Sequence, residues 1–177
     1  MDTWIALLRG INVGRGNRMS MADLRRDLTD DGFLNVRTYI QSGNVVLEDD
    51  RALDRSTVAA RMGDAIETRH GFRPVVVVLN PSELEAAIAA NPFETSSADP
   101  KSVHFFFRDD AAKEVDLAAA GELVADDENF ALIDGIFYLY TPAGMGRSKL
   151  AAKLPQVLGT TATGRNLRSV LAVRDLV

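Results

Sequence analysis

The stretch VRTYIQSGNVVLE (36–48) holds two runs rich in β-formers around Ser42-Gly43. A connection that short joins neighbouring antiparallel strands. Its place in the chain is what constrains the fold. TWIALL (3–8) lies ahead of it and lacks polar alternation, as expected of a strand buried on both faces. Ser20-Met-Ala-Asp23 then fits a capping box, Leu24 and Leu28 share one helical face, and Gly32 stands where helices end. Beyond the hairpin, Val58, Met62 and Ile66 recur four apart within 54–70, with Gly71 after them, and PVVVVLN (74–80) is an uninterrupted β-branched strand. The order over 3–79 is βαββαβ, that of the ferredoxin-like α+β fold: a helix-backed antiparallel sheet.

The second half echoes the first. Asn80-Pro81-Ser82-Glu83 starts a helix that runs to about Ala90 and stops at Asn91-Pro92. SVHFFF (102–107) reads as a strand, an alanine-rich helix follows within 110–124, and FALIDGIFYLY (130–140) is a hairpin turning on Asp134-Gly135. Helices at about 147–157 and 166–176 fill the remainder. The expectation is a ferredoxin-like subdomain over 1–79 and a second, related βαββα subdomain over 80–177 with two C-terminal helices. Without a linker rich in Pro, Gly and Ser between them, the halves are expected to pack as one compact body.

Cysteine is absent, which rules out disulfides, a thiolate nucleophile and thiolate metal ligation. No apolar run reaches the roughly 18 residues that a membrane span needs, and the N-terminus carries an acid where a signal peptide carries lysines. A cytoplasmic protein with no membrane partner is the expectation. The net charge of −5 disfavours bulk attraction to nucleic acid. Yet residues 9–26 and 147–168 hold ten of the twenty basic side chains and only one acid, Asp23.

The first of these segments, LRGINVGRGNRMS (8–20), leaves the end of the first strand. A right-handed crossover makes the first two strands parallel, so this loop and the hairpin turn 41–44 should lie side by side. That edge collects Arg9, Asn12, Arg18, Gln41, Ser42 and Asn44, with Arg15 and Asn17, beside a helix N-terminus. Amides at a helix start, glycines that let backbone approach and planar guanidinium donors suit carboxylate or phosphate. The spacing matches neither the dinucleotide fingerprint nor the Walker A loop. The second basic segment repeats the pattern more weakly. Arg147, Ser148 and Lys149 stand at one helix start, and Thr163, Arg165 and Asn166 at the start of the last helix. Thr141 stands where a Walker A glycine would be, and Arg147 replaces its lysine.

The chemistry these residues favour is binding of, with or without chemistry on, a phosphorylated or otherwise anionic small molecule. Two alternatives use the same loops. One is a nucleic-acid-binding module, disfavoured by net charge and by the lack of aromatics beside the arginines; the other is a protein-interaction or structural module. His70 and His104 lack partners at metal-ligand spacing, so no metal site is expected. His70 reads as a cation closing a helix, and no catalytic residue or cofactor emerges.

Together, LRGINVG (8–14), Met21 to Arg25, YIQSGN (39–44), NPF (91–93), the G-x-G-R-S-K-L run (144–150) and Arg165-Asn166 resemble the bacterial family catalogued as domain of unknown function 1697. The resemblance spans nearly the whole chain and implies an α+β protein of two related subdomains, with its motifs on the basic segments and the hairpin turn. The chain departs from the family pattern in two places. Gly14-Arg15-Gly16 stands where that pattern has paired glycines, and Leu167 replaces a tryptophan after Arg-Asn.

Overall fold

The computed structural model describes residues 1–14, 16–93 and 99–177; Arg15, from the first basic segment, lies outside the described residues. The chain divides into two compact units, Met1–Ala86 with Ala172–Val177, and Ala87–Leu171.

The first unit follows the path β1 (Asp2–Arg9), α1 (Met21–Asp30), β2 (Leu34–Tyr39), β3 (Asn44–Asp49), α2 (Arg55–His70) and β4 (Val75–Leu79). Its sheet has the order β2-β3-β1-β4. β1 pairs antiparallel with both β3 and β4, and β2 pairs antiparallel with β3. It follows that β1 and β2 run parallel and end at the same edge. This strand order is consistent with a ferredoxin-like arrangement.

Local chemistry fixes where the helices begin and end. The Ser20 hydroxyl accepts the Asp23 amide at the start of α1, and the Asp54 carboxylate accepts the Thr57 amide at the start of α2. Gly71 closes α2 at φ 74°, in the left-handed region that a side chain resists. The inner faces of both helices meet one face of the sheet, where Leu24, Leu28, Val58, Met62 and Ile66 bury among Ala6, Leu8, Val45 and Leu47. Ile11 and Met19, from the β1–α1 connection, belong to the same core.

α3 (Pro81–Ala89) leads out of the first unit and starts on a reciprocal cap. The Asn80 side-chain oxygen accepts the Glu83 amide, while the Glu83 carboxylate accepts the Asn80 amide. In the second unit the path is β5 (Val103–Arg108), α4 (Leu117–Leu123), β6 (Asn129–Ile133), β7 (Ile136–Tyr140), α5 (Lys149–Leu158) and β8 (Ala162–Asn166), before α6 (Leu167–Arg174). Its sheet order, β6-β7-β5-β8, repeats that of the first unit, again with every pairing antiparallel.

Two sequence expectations shift here. β8 does not show in the sequence pattern, so Thr163 and Arg165 lie on a strand and not at the start of the last helix. ATGRN has no apolar alternation. It is a strand because it pairs with β5 from His104↔Asn166 to Arg108↔Ala162. Gly164 lies opposite Phe106, whose ring would sit 2.6 Å from any Cβ placed there. Tertiary pairing thus overrides a weak local preference. Secondly, the β7–α5 connection contains a short 3-10 turn, Met145–Arg147, and α5 starts only at Lys149.

Among the described residues no helix is long and apolar enough to cross a membrane. Leu28 is fully buried at the centre of the first core. Leu28→Ala is expected to lower unfolding free energy by about 2–5 kcal/mol, read from the urea midpoint.

Candidate functional site

The loop between β1 and α1 is held in shape by two asparagines. Asn12 and Asn17 both adopt left-handed backbone, at φ 53° and 51°, which asparagine tolerates better than most residues. The Asn12 amide donates to the Asn17 carbonyl at 3.0 Å, and the Asn17 side chain donates to the Gly10 carbonyl at 3.0 Å. The Asn12 carboxamide does more. Its oxygen accepts the Met19 amide at 2.9 Å, and its nitrogen donates to the Met19 carbonyl at 2.8 Å and to the Gln41 carbonyl at 2.9 Å. One side chain therefore joins both ends of the loop to the hairpin 29 positions away.

The hairpin turn packs beneath that clasp. Gly43 has φ 76°, its carbonyl accepts the Leu8 amide at 2.8 Å, and an added Cβ would stand 2.7 Å from Leu8 Cβ and 2.8 Å from Ile11 Cδ1. Asn44 is fully buried and donates to the Tyr39 carbonyl and the Ser42 hydroxyl, at 3.1 and 2.9 Å. Ile40, exposed and β-branched, is held at φ 46°, an arrangement that costs about 1–3 kcal/mol and persists only where the surroundings enforce it.

Loop, hairpin, the start of α1 and the end of α2 enclose a cleft of about 500 Å³ lined by Asn12, Gly14, Arg18, Met19, Ser20, Asp23, Gln41 and His70. Of the residues expected in a site, Asn12, Arg18 and Gln41 line it. Arg9 stands exposed at the end of β1 on the same sheet edge, while Ser42 and Asn44 build the turn behind it.

The charges around this edge are unevenly paired. Every other described arginine of the first unit holds a carboxylate or, in the case of Arg25, the Thr38 hydroxyl. The guanidinium groups of Arg9 and Arg18 have no hydrogen-bonding or ion-pair partner among the described residues. Asp23 adds an acid to the wall of the cleft, but it is already engaged. It accepts from the Ser20 hydroxyl at 2.7 Å and pairs with Arg26 at 2.8 Å. The Ser20 hydrogen bond above all, with the Arg26 charge added to it, holds its carboxyl below the usual range against the opposing effect of burial.

His70, which lines the cleft, and its buried partner Asp27 escape sequence reading. The His70 Nε2 lies 2.6 Å from an Asp27 oxygen, and Asp27 is 1% exposed. Arg26 and Arg69 also reach Asp27, each at 3.2 Å. Burial works to raise the Asp27 carboxyl. Hydrogen bonds and charges from His70 and Arg26 outweigh it and keep the group below the usual carboxylate range. Forty-three positions separate the pair, and only the packing of α1 against α2 joins them.

The residues of the second basic segment serve their own unit. Ser148 caps α5 through the Ala151 amide at 3.0 Å, and Asn166 accepts the Ser169 amide at 2.9 Å. Arg165 is 8% exposed, donates to the Thr163 hydroxyl and the Gly164 carbonyl, and is drawn down by burial to about 10, still protonated at neutral pH. Arg147 and Lys149 are exposed. The edge topologically equivalent to the cleft is built differently. Arg108, the last residue of β5 as Arg9 is of β1, donates to the carbonyls of Gly135, Lys113 and Ala111 at 2.8, 2.7 and 2.8 Å. Among the described residues no group of three or more histidine or carboxylate side chains could hold a metal ion.

The family described as "Protein of unknown function (DUF1697)" matches residues 1–138. The chain belongs to this family. Two of the motifs through which it resembles DUF1697, LRGINVG and YIQSGN, are the loop and the hairpin joined by Asn12. A solved structure of a conserved bacterial protein, SP0830 from Streptococcus pneumoniae, superposes on this DUF1697 chain with a TM-score of 0.77 at 24% identity, covering 99% of this chain and 98% of that one. That likeness is one of fold. No curated protein matches the sequence.

Gly43→Ala is expected to destabilise the protein by about 1–3 kcal/mol in chemical denaturation, because both the backbone angle and the Leu8–Ile11 contact oppose a side chain. Asp27 yields a second expectation. Its folded-state pKa lies below the unfolded value of about 3.9, so its contribution to stability is complete above that pH and is lost as pH falls through the folded value. Urea midpoints measured between pH 7 and pH 2.5 should drop steeply at the acid end for wild type. They should drop less in Asp27→Asn, which starts from a lower stability.

Proposed function

We propose that the cleft between the β1–α1 loop and the β2–β3 hairpin binds a phosphorylated or otherwise anionic small molecule. The observation that carries this reading is the pairing pattern of the arginines. In a unit where the other described guanidinium groups are all engaged, Arg9 and Arg18 are not, and both stand at this edge. Arg18 lines the cleft itself. A guanidinium offers a carboxylate or phosphate two parallel donors, and those of Arg18 are open to a ligand.

The size fits as well. About 500 Å³ is ample for a small metabolite. Gln41, also in the lining, adds a neutral side chain able to donate and accept hydrogen bonds. The left-handed backbone at Asn12 and Asn17 is held by side-chain bonds within the loop, so the wall is set before a ligand arrives and little ordering entropy is lost on binding.

Thermal denaturation in the presence of pyrophosphate, nucleotides and phosphorylated metabolites tests the proposal. A ligand at about 100 times its dissociation constant adds roughly 2.7 kcal/mol of stability. Arg18→Ala should reduce that gain most, and Arg9→Ala less. The absence of any shift across the panel, or a shift undiminished in both variants, would remove the reading. The same titration on Arg147→Ala and Lys149→Ala reports whether the second basic segment contributes. Binding of short RNA or DNA that weakens steeply with added salt would favour a nucleic-acid ligand instead.

A further inference from the structure

We infer that the cleft is an active site and that His70 is its general base, presented by Asp27. The inference rests on the anion-binding reading, because it takes the same cleft and adds chemistry to it.

The tautomer follows from the buried pair. Asp27 stays ionised, and an ionised carboxylate can only accept hydrogen bonds. The nitrogen 2.6 Å from it, Nε2, therefore carries the hydrogen. In its neutral form His70 then keeps its lone pair on Nδ1. That nitrogen makes no hydrogen bond among the described residues and is not among the sealed polar atoms, while His70 lines the cleft. A base oriented through its far nitrogen by a buried carboxylate is the arrangement by which a histidine is held ready to take a proton.

The surroundings suit that role. Asp27 (α1) balances an imidazolium once it forms, and the Phe72 ring packs with its centroid 6.3 Å from that of His70. Arg26 and Arg69 reach Asp27 on its other oxygen and hold the carboxylate in place. Of the charged residues lining the cleft, Asp23 is bound to Ser20 and Arg26, which leaves Arg18 to hold an anion beside the imidazole. Ser20 is no nucleophile here, since its hydroxyl donates to Asp23 and accepts the Asp23 amide.

The proton donor is therefore a water or a hydroxyl of the bound molecule. The O–H bond breaks, its electron pair stays on oxygen, and the proton forms the N–H bond at Nδ1. The oxygen so activated bonds to an electrophilic centre of the bound anion, the bond from that centre to a leaving oxygen breaks, and the imidazolium returns its proton to that departing oxygen. The substrate class is an anion whose reacting centre lies next to its charged group.

The chain has two histidines, so diethyl pyrocarbonate, which acylates a neutral imidazole nitrogen, reports on each by peptide mass. His104 serves as the internal reference, because its Nδ1 is buried without a partner. His70 is expected to react faster than His104, and saturating pyrophosphate to slow His70 alone. Nitrogen-15 spectra should show His70 as the Nε2–H tautomer, and as a mixture in Asp27→Asn. His70→Gln, whose amide can still donate to Asp27, is expected to keep the fold and to leave pyrophosphate binding close to that of wild type, since an unprotonated Nδ1 offers an anion no donor.

The outcomes separate the two readings. If pyrophosphate stabilises the protein yet does not slow His70 acylation, the inference falls and anion binding stands. If neither pyrophosphate nor any other anion of the panel binds, the anion reading falls and takes the substrate class with it, and the base stands or falls by tautomer and acylation rate. An Nδ1–H tautomer, or a His70 no more reactive than His104, overturns it.

Discussion

The carboxamide of Asn12 makes three hydrogen bonds, to the Met19 amide, the Met19 carbonyl and the Gln41 carbonyl, and the architecture of the sheet edge hangs on them. Apart from that side chain, Ile11 and Met19 are the described residues by which this glycine-rich connection packs into the core. With it, the connection becomes a wall that meets the hairpin at a fixed distance. Each of these bonds is worth about 0.5–1.5 kcal/mol. Their larger effect is geometric, because they fix which side chains face the cleft. Arg18 and Gln41 are cleft residues because Asn12 is not free to move.

The buried carboxylates show a related logic. Asp27 and Asp49 are both nearly inaccessible, and each is surrounded by donors: His70, Arg26 and Arg69 around the first, Arg51 and the Arg51 and Leu53 amides around the second. A buried charge lacking such partners would be strongly destabilising, so these clusters also fix how neighbouring elements meet. The Asp49 cluster fixes the chain between β3 and α2, and the Asp27 cluster locks α1 to the end of α2.

The path of the first unit is legible in the sequence because each of its signals is local. Ser20 with Asp23, the four-residue spacing from Val58 to Ile66, and the run PVVVV each identify an element without help from elsewhere. β8 is not legible, because ATGRN becomes a strand only where Phe106 and its neighbours offer an edge to pair with. The cluster of cations at 9–18 is plain as composition, and the parallel relation of β1 and β2 places the hairpin turn beside it. What each polar residue does there is another matter. Asn12 and Asn44 read as ligand contacts; in the structure their amides also bond the loop and the turn, Asn12 while lining the cleft. His70 reads as a helix-closing cation, since nothing nearby in sequence reveals a buried carboxylate 43 positions away.

Both units bring the end of their first strand to a hairpin turn, and they fasten that junction with different chemistry. In the second unit the fastener is Arg108, whose guanidinium sits against three carbonyl oxygens. In the first it is the uncharged Asn12, and the arginine at the corresponding strand end, Arg9, is left to solvent. A neutral latch liberates positive charge at one copy of a repeated address, while a cationic latch quenches it at the other. Two copies of one topology can thus diverge in the charge they leave exposed at one edge through the identity of a single fastening residue, with no change in the path of the chain.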